Sequence, residues 1–322
     1  LLTFTIMGSV YFFIKRSWTP YIIFTTAALY THHFALFTLF SQGVWFLIAD
    51  FNWKNPKTYL SQLKPFLMIG LLYLPWLYPM YRQTRMVQGG GFWLKAPTFE
   101  ELGRLLYRFF TGGVEKKFSL PVAMIVVFLL IFKDWKKVGK GFCELLFIFL
   151  GPVFLSFAVS YLVTPIFYDR YLLATTMGIA VLIGLGVKKH FRILLLPLVI
   201  LYGVISFNQF THPQKPPFRD LAKVVKAQMS PEDALINYNG KAHHLWESKY
   251  YGIPAPIYNP GGPLPFYVGT AQMTEEDTIE VLPEGKRIGV ISDFGEEINL
   301  PNYYKISSEK FGSLEFSWWE KN

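Results

Sequence analysis

Residues 143–163 read CELLFIFLGPVFLSFAVSYLV, an apolar run of 21 with Glu144 as its single acid or base. A helix needs roughly 20 such residues to cross a bilayer core. Outward from it, further apolar segments lie at 1–14, 20–31, 34–49, 65–80, 119–132, 171–187 and 193–208. Several fall short of the spanning length. Segments 20–31 and 34–49 are parted only by Thr31, His32 and His33, which suits two short helices meeting near the membrane interface. The composition agrees: 52% hydrophobic, 18% aromatic and only 16% charged, against about a quarter charged for a soluble domain. This composition argues against a simple water-soluble globule.

The net charge of +9 raises the question of nucleic acid, and its distribution answers it. Residues 1–208 hold 20 Lys+Arg against 7 Asp+Glu, a net of +13, while 209–322 hold 11 against 15, a net of −4. Two physically different halves meet near residue 208, and no nucleic-acid partner is needed. One set of connections carries Lys15, Arg16, Lys54, Lys57, Lys64, Lys133, Lys136, Lys137, Lys140, Lys188, Lys189 and Arg192, with Asp50 and Asp134 as nearby acids. By the positive-inside rule that side is cytoplasmic. The other face then holds the His32–His33 break, the loop 81–118, the connection 164–170 and the C-terminal domain. It should be poor in cations, yet it carries Arg82, Arg85, Lys95, Arg104, Arg108, Lys116, Lys117 and Arg170. Topology gives no reason for these eight. Lipid headgroups or a dedicated anionic ligand at the outer surface would both account for them.

In the loop 81–118, Gly89, Gly90 and Gly91 break the chain. Thr98 and Glu101 then have capping-box spacing. Leu102, Leu105, Leu106, Phe109 and Phe110 follow on one helical face, with Arg104 and Arg108 on its flank. The spacing predicts an amphipathic helix near 98–111 on the outer leaflet, first as an anchor and second as a lid over a lipid-substrate groove. His32 and His33 are adjacent, hence poorly set to chelate one metal together, and are read as interface-seeking residues, or one of them as a ligand to a phosphate or to a metal supplied partly from elsewhere. In TPIFYDRYLL (164–173), Arg170 stands near Tyr168 and Tyr171 at a membrane mouth, where charge and phenolic hydroxyls can hold a phosphate; a snorkelling Arg170 offset by Asp169 is the plainer reading.

Other chemistry is missing. The sequence has no Walker A loop, GxGxxG, HExxH or Gly-x-Ser-x-Gly elbow. No acid sits at mid-membrane depth, which lowers the case for an ion-coupled transporter. The single cysteine, Cys143, excludes an intrachain disulfide. Residue 1 is Leu and the chain opens inside an apolar run, so a natural start upstream is expected.

Beyond 208 the composition turns to that of a small extracytoplasmic α/β domain, 209–322. A linker runs from His212 to Pro217, and Leu221, Val224, Val225 and Met229 share one helical face. Strands are expected at 234–238, 287–292 and 314–318, and helix-like stretches near 243–251 and 274–281. His243, His244 and Asp293 are read as ordinary structural residues.

The order of Tyr30-Thr31-His32-His33-Phe34, Leu74-Pro75-Trp76, Phe92-Trp93-Leu94-Lys95-Ala96-Pro97-Thr98 and Tyr168-Asp169-Arg170-Tyr171-Leu172-Leu173 resembles the C-terminal part of bacterial GT-C glycosyltransferases. The resemblance is to the protein mannosyltransferase and aminoarabinose transferase group, glycosyltransferase family 39-type. It implies an α-helical polytopic membrane protein with a GT-C-like bundle over 1–208, in the plasma (inner) membrane and multi-pass, followed by the α/β domain. It implies transfer of a sugar from a polyprenyl-phosphate donor to a glycan, lipid or protein acceptor at the outer face, in some members with a divalent metal cation. The family's acidic residues lie in a first external loop, so no general base is assigned here. The donor-phosphate residues it implies are Arg170 and Tyr171, then Tyr30, His32 and Tyr168, with Lys95 on the loop. A non-catalytic polytopic protein that binds or exports lipid-linked glycans is the alternative.

Overall fold

The structure, a computed structural model, describes residues 1–90, 94–111, 139–189, 191–211, 215–238, 242–262, 264, 268 and 272–322. The expected span 119–132, Phe92, Trp93, Lys116, Lys117, Lys133, Asp134, Lys136 and Lys137 lie outside them. Two compact units form: Leu1–Arg85 with Phe92–His212, and Met86–Gly91 with Pro213–Asn322.

In the first unit the described helices are α1 (Leu2–Ile14), α2 (Trp18–Thr31), α3 (Ala35–Ala49), α4 (Tyr59–Gly90), α5 (Phe99–Thr111), α6 (Lys140–Leu162), α7 (Ala174–Lys189) and α8 (Phe191–Thr211). Helix α1 packs on α2, α3 on α6, α6 on α7, and α7 back on α1. Phe13, Tyr21, Leu29, Ile69 and Ile148 are fully buried at the centre. Two helical stretches, Pro56–Met86 and Lys140–Leu162, are long and apolar enough to cross a membrane; α1 and α3 are apolar but shorter. At 1.5 Å per residue the 13 residues of α1 span only about 20 Å of a roughly 30 Å hydrocarbon core. Large apolar side chains face outward along α4 and α6, among them Leu67, Leu71, Leu74 and Phe154. Exposed apolar side chains in this number mark a surface for a protein partner or for lipid.

Inside, polar groups tie the short helices together. Ser9 and Thr25 share a hydrogen bond of 2.8 Å, Gln42 Nε2 donates to Ser9 at 3.0 Å, and the Tyr21 hydroxyl donates to Gln42 Oε1 at 3.0 Å. All four are buried. A satisfied network of this kind fixes helix register, since each lost partner strands a polar atom. Gly178 supplies the opposite device, close approach: a Cβ there would lie 2.0 Å from the Phe149 ring.

Helix α4 corrects the expected boundary at residue 80. Residues 81–90 continue the helix rather than opening the loop, and Gly89 and Gly90 fall inside it. Hydropathy marks where apolar side chains stop, whereas Arg82, Gln83, Arg85 and Met86 are good helix formers and carry the backbone on. Pro65, Pro75 and Pro79 also lie within α4. Pro75 cannot donate to the Leu71 carbonyl; one residue on, the Leu72 carbonyl accepts the Tyr30 hydroxyl at 2.9 Å.

The helix ends gather charges at two opposite poles. At one, Arg16 pairs with Asp50 and, at 2.9 Å, with Glu144, while Lys140 pairs with Asp50. Arg16 sits in the left-handed region (φ 54°), which turns its guanidinium onto the Phe13 ring at 4.5 Å and onto both carboxylates. Glu144 is only 4% exposed. At the other pole lie the His32–His33 turn, α5 and the segment 164–172.

The second unit is a six-stranded sheet in the order β3-β2-β1-β4-β6-β5. Its strands are β1 (Ala234–Tyr238), β2 (Ile257–Tyr258), β3 (Thr278–Ile279), β4 (Arg287–Asp293), β5 (Tyr303–Phe311) and β6 (Leu314–Lys321). The first four in that order are parallel; β6 runs antiparallel to β4, and β5 to β6. Period-two alternation sorts the strands' residues. Leu235, Ile291, Phe316 and Trp318 meet Phe218, Leu221 and Val225 of α9 (Phe218–Gln228) on one face. Ile236, Ile288, Val290 and Trp319 meet Leu300 on the other. Helix α10 (Ala242–Tyr250) follows β1. The helix-like stretch expected at 274–281 is instead a 3-10 turn, Glu275–Asp277, then β3. Thr274 and Asp277 cap each other across that turn, and the β-branched Thr278-Ile279 pair extends into the sheet.

Three carboxylates of this unit are held below the ordinary range. Asp233 is fixed by the Arg287 guanidinium at 3.1 and 2.6 Å. Glu315 is fixed by Lys305 and Ser308 at 2.8 and 2.6 Å. Burial pushes Asp277 up, but Lys249 and Thr274 together outweigh it. Glu247, raised by burial, acts in the opposite sense. A depressed carboxylate contributes stability above its unfolded pKa, about 4, and loses it as pH falls through the folded value. The unit is therefore expected to hold its stability from neutral pH down to about pH 4 and to lose it below. Trp318 and Trp319 fluorescence checks this, and Asp233→Asn should flatten the acid limb.

Candidate functional site

The second pole of the helical unit contains a cleft, and it is built on α5. The Thr98 N–H donates to Glu101 Oε2 at 2.7 Å and the Glu101 N–H to Thr98 Oγ1 at 3.2 Å, the reciprocal cap its spacing predicted. Leu102, Leu105, Leu106 and Phe109 pack on Phe34, Val153, Ile166, Phe167, Tyr171 and Leu172. Leu105 is 4% exposed. Leu105 of the apolar stripe is thus covered by protein, while Leu102, Leu106 and Phe109 are partly so. The physical reason is the aromatic surface offered by Phe34, Phe167 and Tyr171. That arrangement makes α5 the wall of a cavity.

The cavity measures ≈ 260 Å³ and is lined by Lys95, Glu101, Arg104, Arg108, Tyr168 and Asp169, with apolar Leu94, Pro97, Leu105 and Phe167 between them. Arg104 bonds Glu100 at 2.8 Å one turn back on α5. Arg108 reaches across to Asp169 at 2.9 Å, joining α5 to the 164–172 segment. Asp169 begins a 3-10 turn, Asp169–Leu172, and its Oδ1 accepts the Arg170 N–H at 2.7 Å. Among the described residues Lys95 has no carboxylate at ion-pair distance. Three cations and a phenol thus share one cleft with the carboxylates of Glu101 and Asp169, and two of the cations are already partnered.

Of the residues predicted for a phosphate site, Lys95 and Tyr168 line this cleft. Tyr171 adjoins it, its ring 5.5 Å from Tyr168, 5.0 Å from Phe34 and 4.9 Å from His32. Burial, with the neighbouring His33 second, lowers the His32 pKa. Its Nδ1 accepts the Phe34 N–H at 3.2 Å, which leaves the proton of the neutral ring on Nε2. His32 is then a neutral donor rather than a cation. Arg170 is exposed and outside the cleft lining. Tyr30 stands apart, its ring against Tyr73 and Trp76 and its hydroxyl on Leu72. His33 bridges to α4 through Gln83 Oε1 at 2.8 Å.

Sequence reading did not foresee the part played by Asp169 and Glu101 in the cleft. Asp169 was an offset for its neighbour Arg170; the fold instead sets it against Arg108, 61 positions away. No local spacing announces such a pair. In the second unit, His244 is buried and lies 3.7 Å from Asp293 at the end of β4. Among the described residues no group of three or more His, Cys, Asp or Glu side chains gathers as a metal ligand set. No protein-family model, curated protein or solved structure matches the chain.

Proposed function

We propose that the chain is a multi-pass membrane glycosyltransferase, or its donor-binding part, with the cleft beside α5 holding the phosphate of a polyprenyl-phosphate-linked sugar at the outer face. The single observation that supports this is the meeting of Lys95, Arg104, Arg108 and Tyr168 around one cavity at the pole opposite the Arg16 cluster. In this reading the Arg16 pole is cytoplasmic, the second unit is extracytoplasmic, and the protein resides in the plasma (inner) membrane. A prenyl chain would lie in the bilayer along the apolar exterior of the helices.

In the transfer step an acceptor hydroxyl oxygen bonds to the sugar's anomeric carbon. The bond from that carbon to the phosphate oxygen breaks, and its electron pair stays on the phosphate. The acceptor proton leaves to a carboxylate base, of the kind the GT-C resemblance puts in a first external loop. This chain's cations work on the departing phosphate, whose charge rises as the bond breaks.

Sugar transfer from a labelled polyprenyl-phosphate donor, with full-length protein in membranes, tests the proposal. Lys95→Ala and Arg104→Ala are each expected to lower transfer about tenfold or more, the size of a lost charge-assisted hydrogen bond. Donor binding without sugar release would favour the glycan-binding or exporting alternative. Wild-type binding and transfer with both variants unchanged would remove the cleft from the site.

A further inference from the structure

We infer that the cleft beside α5 seats the sugar of the donor as well as its phosphate, with Glu101 as the residue that accepts hydrogen bonds from the sugar hydroxyls. The inference rests on the reading of the cleft as a phosphate site. Most of the charged groups lining it are committed. Arg108 holds Asp169 Oδ2 at 2.9 Å, the Arg170 N–H donates to Asp169 Oδ1 at 2.7 Å, and Arg104 holds Glu100 at 2.8 Å. Two lining groups of opposite sign are left. Among the described residues neither Lys95 nor Glu101 belongs to an ion pair. Glu101 Oε2 accepts the Thr98 N–H at 2.7 Å, while Oε1 has no donor among the described residues.

Lys95 and Glu101 line one cavity without meeting. A ligand that satisfies both carries an anion at one part and O–H donors at another. A phosphate by itself offers only acceptors, and Glu101 repels it. Volume points the same way. At about 30 Å³ per water the ≈ 260 Å³ cavity has room for about nine waters, and a phosphate group takes the place of about a third of them. A sugar ring joined to that phosphate fills much of the rest. Its hydroxyls can donate to the carboxylate, and hydrogen bonds of that charge-assisted kind are among the stronger ones in proteins. Its C–H faces need apolar surface, which Leu94, Pro97 and Phe167 supply along the same wall.

The helix cap explains how an exposed glutamate can serve as a fixed acceptor. The Glu101 N–H bonds Thr98 Oγ1 at 3.2 Å while Oε2 holds the Thr98 N–H, so the start of α5 sets the side chain with one oxygen and leaves the other to the cleft. The rotamer freedom that a loose glutamate would lose on binding is already lost in the cap. The cap also provides a clean variant, because the capping box accepts Gln as well as Glu at this position. In Glu101→Gln the amide oxygen can hold the Thr98 N–H, and an NH2 donor then stands where the free acceptor was.

Binding of singly charged dodecyl phosphodiesters to the detergent-solubilised full-length protein tests this. The probes are methyl dodecyl phosphate and the dodecyl phosphates of glucose, mannose, N-acetylglucosamine and arabinose, each joined through the anomeric oxygen, so that charge and chain are shared and only the sugar differs. Wild type is expected to bind at least one sugar diester about ten-fold tighter than the methyl diester. Glu101→Gln should cut that ratio about five-fold while unfolding at the wild-type temperature. Losing the Glu101 charge moves all the diesters alike through their phosphates, and that effect cancels in the ratio. A wild-type ratio under about two-fold for every sugar overturns the inference, as does a ratio that survives Glu101→Gln. In either case, Lys95→Ala still weakening every probe leaves the phosphate site standing. If Lys95→Ala and Arg104→Ala alter no affinity, the phosphate site falls, and the sugar seat with it.

Discussion

Arg16→Ala is expected to destabilise the helical unit by about 3 kcal/mol, the largest loss for a single charge in it. Removing one member of a buried ion pair leaves the other charge without compensation, which costs roughly 3–5 kcal/mol, and the lower end applies because Arg16 itself is 29% exposed at its side chain. Glu144 would be left beneath the surface, its cross-helix bond from Arg16 gone, and Asp50 would keep only Lys140. Two companion variants make the interpretation specific. Arg16→Gly loses the same pairs but relieves the left-handed backbone at φ 54°, so it should be about 1 kcal/mol milder than alanine. Arg16→Met with Glu144→Gln should recover much of the loss, since an uncharged replacement of a buried pair is often neutral. Thermal unfolding in detergent reads all three. A loss under about 1 kcal/mol for alanine would mean the pairs are no more than surface contacts.

Gly178→Val is the second large effect expected. The first carbon of any side chain would stand 2.0 to 2.5 Å from three atoms of the Phe149 ring, and Phe149 is itself 3% exposed in the α6–α7 contact. A ring so enclosed cannot step back, so α7 must, and overpacking of this kind costs about 1–3 kcal/mol or more. Gly203 is the internal control. Nothing lies within 4 Å of a Cβ there, and Gly203→Ala should be neutral or stabilising by up to about 1 kcal/mol from helix propensity. Equal losses at the two positions would show that the α6–α7 approach is not the cause. Gly178→Ala with Phe149→Leu, which trims the ring, should recover part of the loss.

How far the fold could be read depended on what kind of signal each element carries. Helices α1, α2, α3, α6, α7 and α8 begin and end within a few residues of their apolar runs, because in each the polar break and the helix break coincide. Helix α4 parts company with its run, because its last turns are polar but still helical. Helix α5 was legible down to its cap, since Thr98 and Glu101 advertise themselves three residues apart. In the sheet, β1, β4 and β6 were visible as apolar strands. β5 was not, because this edge strand, Tyr303 to Phe311 in sequence YYKISSEKF, is exposed along most of its length and lacks an apolar alternation. Of the cleft, Lys95 and Tyr168 were picked out by residue type and line it, and Tyr171 adjoins it. The carboxylate across from Arg108, and the exposure of Arg170 outside the lining, depended on how the 164–172 segment turns, and that is settled by packing against α5 and α3 rather than by any neighbour in sequence.

The Arg16 cluster also separates two moments in the life of the chain. In the membrane reading, helices α1, α3 and α6 have not yet met while the segments insert, and Arg16 and Lys140 then act as uncompensated charges that resist translocation. Once the helices pack, the same two cations face Asp50 and Glu144, so these four groups cancel while Lys15, Lys54, Lys57 and Lys64 keep that side positive. In that reading, two of the charges that steer orientation during biogenesis are then used a second time, to join helices. A mutant that loses Arg16 would then be impaired twice, first in the choice of side for the α1–α2 turn and later in the join of three helices.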